Sequence, residues 1–138
     1  MQGKIALEEH FAVPDTLGSV AGVIGATEWA AEVRRRLVDT QDLRLAEMDR
    51  HGIERSILGL NAPAIQGILD TKQAIEVARR ANDTLAREVA RRPDRLSGFA
   101  ALPMQDAGAA AEELARSVHQ LGFKGAMVNG FTQRGVAD

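Results

Sequence analysis

The sequence contains no cysteine, which excludes a disulfide framework, a thiolate metal site and a cysteine nucleophile. Any metal must be held by carboxylate or imidazole. It also lacks a surplus of either charge. The 17 basic and 19 acidic residues give a formal net charge of -2 and are interspersed along the chain, so no strong field exists to draw nucleic acid or anionic lipid. Long hydrophobic runs are missing as well. Met1-Gln2-Gly3-Lys4 leads into a short apolar stretch with acids in it, which suits neither a signal peptide nor a spanning helix of ~20 apolar residues; a cytoplasmic protein without a membrane partner is the expectation. No serine stands beside a recognisable base, so covalent acyl transfer finds no support. Gly18, Gly22 and Gly25 do not follow the G-x-G-x-x-G spacing of a phosphate cradle. What remains is 138 residues with 45% hydrophobic and 26% charged content, the composition of one soluble globular domain or a piece of one.

Short apolar runs alternate with amphipathic stretches. Ile5 to Leu7 reads as a buried strand turning polar at Glu8, Glu9 and His10. Val13 to Thr27, rich in glycine and small apolar residues, reads as an irregular loop, a lid insertion over about residues 13–28 whose Val20, Val23, Ile24 and Trp29 would meet an aromatic ring. Trp29, Val33 and Leu37, then Leu45 and Met48, recur at helical spacing before Gly52, giving two short helices or one bent one. Arg55 to Leu60 is the second strand, ended by Asn61-Ala62-Pro63. Thr71 to Arg92 is helical, with Ile75, Ala78, Leu85 and Val89 on one face and Pro93 as its stop. Leu96 to Leu102 is a third strand, Asp106 caps a helix expected to turn Leu114, Val118 and Leu121 inward, and Phe123 to Val128 is a fourth strand.

Strands alternating with helices imply an α/β fold with a parallel sheet and right-handed crossovers, either a doubly wound sheet or a barrel. About four parallel strands with helices correspond to the N-terminal half of a (β/α)8 TIM barrel, which needs ~250 residues when complete. The whole chain, 1–138, is expected to be part of one such domain that stops early.

Glu8 and His10 are the sharpest chemical signal. Side chains two apart on a strand share a face, both types bind zinc and similar ions, and the C-terminal ends of barrel strands are where catalytic groups collect. An E-x-H triplet is equally compatible with a solvated strand end. Asn61 and Asn129 stand at strand ends facing the barrel mouth, where an amide suits a substrate hydroxyl or carboxylate; turn formation is the alternative for both. Trp29 either lines that pocket or packs structurally. His51, before Gly52 at a helix C-terminus, and His119 are read as structural. Asn82, on an otherwise apolar face, is expected to make a buried hydrogen bond. Glu9 points away from Glu8 if the strand stays regular.

Several stretches act in combination: LEEHF at Leu7 to Phe11, LNAPA at Leu60 to Ala64, ARRAND at Ala78 to Asp83, RPDR at Arg92 to Arg95, FAALP at Phe99 to Pro103 and VNGF at Val128 to Phe131. Together they resemble the amidohydrolase-superfamily decarboxylases, most closely the γ-resorcylate (2,6-dihydroxybenzoate) decarboxylase group, from Gly3 to about Phe131. The resemblance implies a carboxy-lyase that removes CO2 from an ortho-hydroxybenzoate, with a small aromatic carboxylic acid as partner. Its cofactor is a divalent ion, Zn or Mn with Mg as a further option, held in part by Glu8 and His10. A homo-oligomer, specifically a homotetramer, is implied for the full-length form. The family also uses a His and an Asp from later strands, for which these residues offer no counterpart, so no catalytic acid or base is assigned here. A metal-dependent hydrolase acting on an amide or lactone, a noncatalytic barrel fragment and a doubly wound binding domain remain as alternatives.

Overall fold

The structure, a computed structural model, describes residues 3–18, 27–129, 131–132 and 134–135. Its strands arise where short apolar runs occur and its helices where caps and amphipathic spacing coincide. In chain order it has β1 (Lys4–Phe11), α1 (Glu28–Val38), α2 (Asp42–His51), β2 (Ile53–Leu60), a 3-10 turn (Ala64–Gly67) and α3 (Thr71–Arg91). There follow β3 (Leu96–Gly98), β4 (Ala100–Ala101), α4 (Ala107–His119), β5 (Ala126–Met127), β6 (Phe131–Thr132) and β7 (Arg134–Gly135). Three helices begin at side-chain caps: Thr27 accepts from the Ala30 amide, Asp70 from Gln73 and Asp106 from Ala109. Each such cap is worth about 1 kcal/mol. Gly52 closes α2 at φ 66°, a left-handed conformation that glycine adopts without steric cost.

The sheet order is β1-β2-β3 and β4-β5, every pair parallel. The stretch read as one third strand is two. Residues 96–98 bond to β2, and after Phe99 the chain changes neighbour so that Ala100 and Ala101 pair with Ala126 and Met127. The Phe99 amide still reaches the Leu58 carbonyl at 2.8 Å while Ala100 donates to Gly125 at 2.8 Å, so the four-strand parallel order in sequence holds. The fourth strand is shorter than expected, Ala126–Met127 only. β6 and β7 form a small antiparallel hairpin.

Leu58 and Leu60 of β2 join Val77, Ala78, Ala81 and Leu85 of α3 in the core, with Leu96, Ala100, Ala110 and Phe123 beyond them. Gly98 is required there, since a Cβ would lie 2.7 Å from the Phe123 ring. Helices thus cover the sheet face that carries Leu58 and Leu60. On the opposite face Ile5 and Leu7 are 59% and 60% exposed.

Two expectations need correcting. Residues 14–18 are helical rather than loop; Pro14 is tolerated in a first helical turn, and Thr16 supplies local bonds to both the amide and the carbonyl of Val13. The remainder of that stretch, including Val20, Gly22, Val23, Ile24 and Gly25, lies outside the described residues. On α4 the inward residues are Ala110, Glu113 and Ser117, while Leu114 and Val118 are exposed. The hydrophobic pattern misidentified that face because the α3–α4 interface is built around a polar group. Asn82 donates from Nδ2 to the Ala101 carbonyl (2.9 Å) and to Glu113 Oε1 (2.7 Å), and its Oδ1 accepts from the Ala101 amide (2.9 Å). Arg116 clamps Glu113 through Nη2 at 2.7 Å and Asp83 through Nη1 at 2.7 Å, and Arg79 stands 3.4 Å from Glu113. The ARRAND motif is therefore largely a clamp between two helices, and Asn82 makes the buried bonds expected of it.

Candidate metal centre

The placement of Glu8 and His10 depends on an irregularity in β1. Ala6 pairs with Ser56 and Glu9 with Leu58, so three residues of β1 advance against two of β2. One extra residue is accommodated at Leu7–Glu8, and Glu8 takes φ 57°, a left-handed conformation uncommon outside glycine, asparagine and aspartate. Paired residues of neighbouring strands share a face. Glu9 therefore lies with Leu58 on the helix-covered side, and His10 lies with Gly59 on the open side. The exposure pattern agrees: Ile5, Leu7, Glu8 and His10 are exposed, whereas Ala6 and Glu9 are partly covered and Phe11 is buried.

Regular alternation would have separated these groups. In an unbroken strand Ile5 and Leu7 share one face, and Glu8 and His10 occupy the other. The bulge resets the phase and sets the carboxylate and imidazole on the face where Ile5 and Leu7 already stand. Among the described residues neither the Glu8 nor the His10 side chain is engaged in a hydrogen bond or ion pair. No cluster of three or more His, Cys, Asp or Glu suited to a metal occurs among the described residues, so the pair stands as two donors.

The other candidates are occupied or distant from this pair in the chain. Asn61, 5% exposed, accepts from Thr16 Oγ1 at 3.1 Å, and its amide nitrogen donates to the Ala62 carbonyl at 3.4 Å. It anchors the helical residues 14–18 against the end of β2. Asn129, half-buried just after β5, donates to Gln66 Oε1 at 3.1 Å and so ties that strand end to the 3-10 turn. Trp29, second residue of α1, is 63% exposed and is not packed in the core. His51 ends α2 beside Glu47 at 3.4 Å, and its carbonyl accepts from Lys4 Nζ at 2.8 Å. His119 is an exposed residue at the end of α4.

A groove of about 300 Å³ runs between β1 and the α1–α2 pair, bordered by Glu9, His10, Leu37, Arg44, Met48 and His51. Of the metal and substrate candidates only His10 borders it, so it is not the space the bulge faces. Arg44 is the residue that reading the sequence missed. It lies on α2 among other charged residues, and nothing in its spacing separates it from a surface arginine, yet its guanidinium is turned onto β1.

The Amidohydrolase family model matches residues 9–138. The chain belongs to the amidohydrolase family. Among amidohydrolase-like relatives, it is 61% identical over 138 residues to the γ-resorcylate decarboxylase of Rhodococcus jostii (strain RHA1), covering 100% of this chain and 42% of that protein. The crystal structure of 2,6-dihydroxybenzoate decarboxylase complexed with 2,6-dihydroxybenzoate superimposes with a TM-score of 0.93 at 61% identity, over 98% of this chain and 41% of that one. A dihydroxybenzoic acid decarboxylase from Polaromonas sp. JS666 with bound manganese and the inhibitor 2-nitroresorcinol gives 0.92 at 59% identity, over 96% and 40%. The chain thus spans about two-fifths of the length of the relatives it matches. Its parallel strands and covering helices are those of the amidohydrolase TIM barrels over that part.

Proposed function

We propose that this chain forms the first part of a metal-dependent decarboxylase that removes CO2 from 2,6-dihydroxybenzoate or a related ortho-hydroxybenzoate, with Glu8 and His10 as two ligands of a manganese or zinc ion. The observation that carries the reading is the bulge at Leu7–Glu8, which sets a carboxylate and an imidazole on one open face. That donor set fits a hard or borderline divalent cation, and neither donor is committed elsewhere among the described residues. The reactions of the similar proteins favour decarboxylation over hydrolysis of an amide or lactone.

When bound, the cation supplies Lewis acidity toward the substrate's carboxylate and phenolate oxygens. Glu8 and His10 fix where those oxygens sit, and Ile5 and Leu7 on the same face offer apolar contact to the ring. Asn129, and Asn61 once released from Thr16, present amides to a hydroxyl or carboxylate, and Trp29 presents an exposed ring beside the proposed lid over residues 13–28. The ring carbon that loses CO2 has to take up a proton from a positioned acid, and none of the described residues is assigned that part. The same reading carries with it a cytoplasmic homo-oligomer, a homotetramer, as its setting.

The test is the metal content and 2,6-dihydroxybenzoate turnover of the complete natural protein carrying Glu8→Ala or His10→Ala. Each change is expected to lower both about tenfold or more, since ligands and their immediate supports govern affinity at this scale. Full metal occupancy and normal turnover in the double variant would end the proposal.

A further inference from the structure

Among the described residues β1 is the outer strand of its sheet, paired with β2 along one edge. The Phe11 carbonyl faces β2, where it accepts from the Asn61 amide at 3.0 Å. In a parallel strand the next residue's polar groups face the other way, which turns the His10 carbonyl to the outer edge. Arg44 meets it there. Its Nη2 donates to the His10 carbonyl at 2.5 Å and to the Arg36 carbonyl at 3.4 Å, and its Nη1 stands 3.5 Å from the Glu9 carboxylate. The neighbouring Ala12 amide donates to the Leu37 carbonyl at 2.9 Å. One guanidinium therefore joins the last turn of α1 to the two residues that follow the bulge.

This arrangement is costly unless it does something. Arg44 is only 11% exposed, and its Nε is buried without a partner among the described residues. Taking a cation out of water is unfavourable unless good geometry compensates. The compensation visible here is positional: a rigid fork holds a carbonyl on one ligand residue and the carboxylate of the residue between the ligands, which the single point charge of lysine cannot do.

We propose that Arg44 is a positioning residue for the Glu8–His10 pair, locking the chain just after the bulge so that the two donors keep their spacing before a cation arrives. The inference rests on the reading of Glu8 and His10 as metal ligands. Groups that orient ligands from behind change metal affinity about 10–100-fold when removed.

The experiment uses the complete natural protein stripped of metal, with manganese(II) affinity read from the free-ion electron paramagnetic resonance signal, beside thermal melting and kcat at saturating manganese. Arg44→Met is expected to weaken manganese binding about 10–100-fold, with Arg44→Lys recovering part of the loss and kcat near the parent once manganese saturates. A lowered melting temperature with unchanged manganese affinity would show a merely structural arginine and overturn the proposal. Should Arg44→Met fail to fold, Arg44→Lys carries the test: it keeps the charge but not the fork, and unchanged affinity overturns the positioning role. Glu8→Gln serves as the separate control. If Glu8→Gln loses manganese while both Arg44 variants keep it, only the positioning role is lost. If Glu8→Gln also keeps it, the metal reading itself fails and this inference with it.

Discussion

The two parts of the molecule on either side of Gly52 are built differently. From β2 to α4, strands and helices bury a continuous set of apolar side chains, and the polar pair between α3 and α4, Asn82 and Glu113, is hydrogen-bonded. From β1 to α2, Phe11, Val13 and Met48 are the described residues buried in that core, with Leu45 partly buried against it; β1 carries a left-handed residue, and Arg44 reaches across to hold it. The candidate chemistry sits in the second kind of structure. Strain and exposure are tolerated in β1 because the neighbouring layer supplies the stability.

That contrast can be broken first by excavation. Leu85→Ala removes a fully buried side chain from α3 and is expected to cost about 2–5 kcal/mol. Leu7→Ala, on the open face, should stay within about 0.5 kcal/mol. Paired urea titrations check this, and equal losses would erase the distinction.

A smaller effect concerns the polar clamp. Burial alone would raise the Glu113 carboxyl, but bonds from Arg116 and Asn82 and the charges of Arg116 and Arg79 hold it below its ordinary value of 4.5. The unfolded chain then binds this proton more readily than the folded one. The stability Glu113 contributes is therefore present above about pH 4.5 and is lost as pH falls through the lower folded value. Glu113→Gln should lower stability at neutral pH by about 1–3 kcal/mol, because charged partners lose their acceptor. It should also flatten the acid limb of a stability-against-pH curve. An acid limb as steep as the parent's would place the sensitivity elsewhere.

The smallest effect has the opposite sign. Glu8→Gly relieves a left-handed residue, so it should raise stability by about 1 kcal/mol while reducing manganese binding. Calorimetry beside a metal titration reads both, and a destabilised Glu8→Gly variant would mean that φ 57° is not a source of strain.

How far the sequence could be read follows the same division. The helix Thr71–Arg91 and its neighbours were legible because caps, apolar spacing and Pro93 all act within a few residues. The Asn82 bond was legible because an amide on an apolar face must find a partner. The inward face of α4 was not, since Glu113 and Ser117 occupy it through bonds to α3 and Arg116 that no local pattern announces. The RPDR motif is similar: Arg95 donates to the Ile53 and Glu54 carbonyls and pairs with Asp49 at 2.7 Å, bracing the start of β2 from a distance in sequence. Glu8 and His10 stood out as candidates by residue type, spacing and the family resemblance, but the bulge that gives them their face was invisible, because alternation alone takes every strand to be regular. Arg44 was invisible for a related reason. Its partners are backbone carbonyls and a carboxylate eight to thirty-five positions away.

The extra residue at Leu7–Glu8 also makes the polarity of β1 a matter of parity. Removing Leu7 would leave two steps of β1 against two of β2 between Ala6 and Glu9, so the strand could run regularly while Glu9 and His10 keep the partners and faces they have now. A bulge thus absorbs one residue of length, and the imidazole stays on the open face whether the extra residue is present or not. In a strand of this kind length and facing are decoupled: the same run of residues presents its donors to one layer or the other according to whether one residue is bulged out.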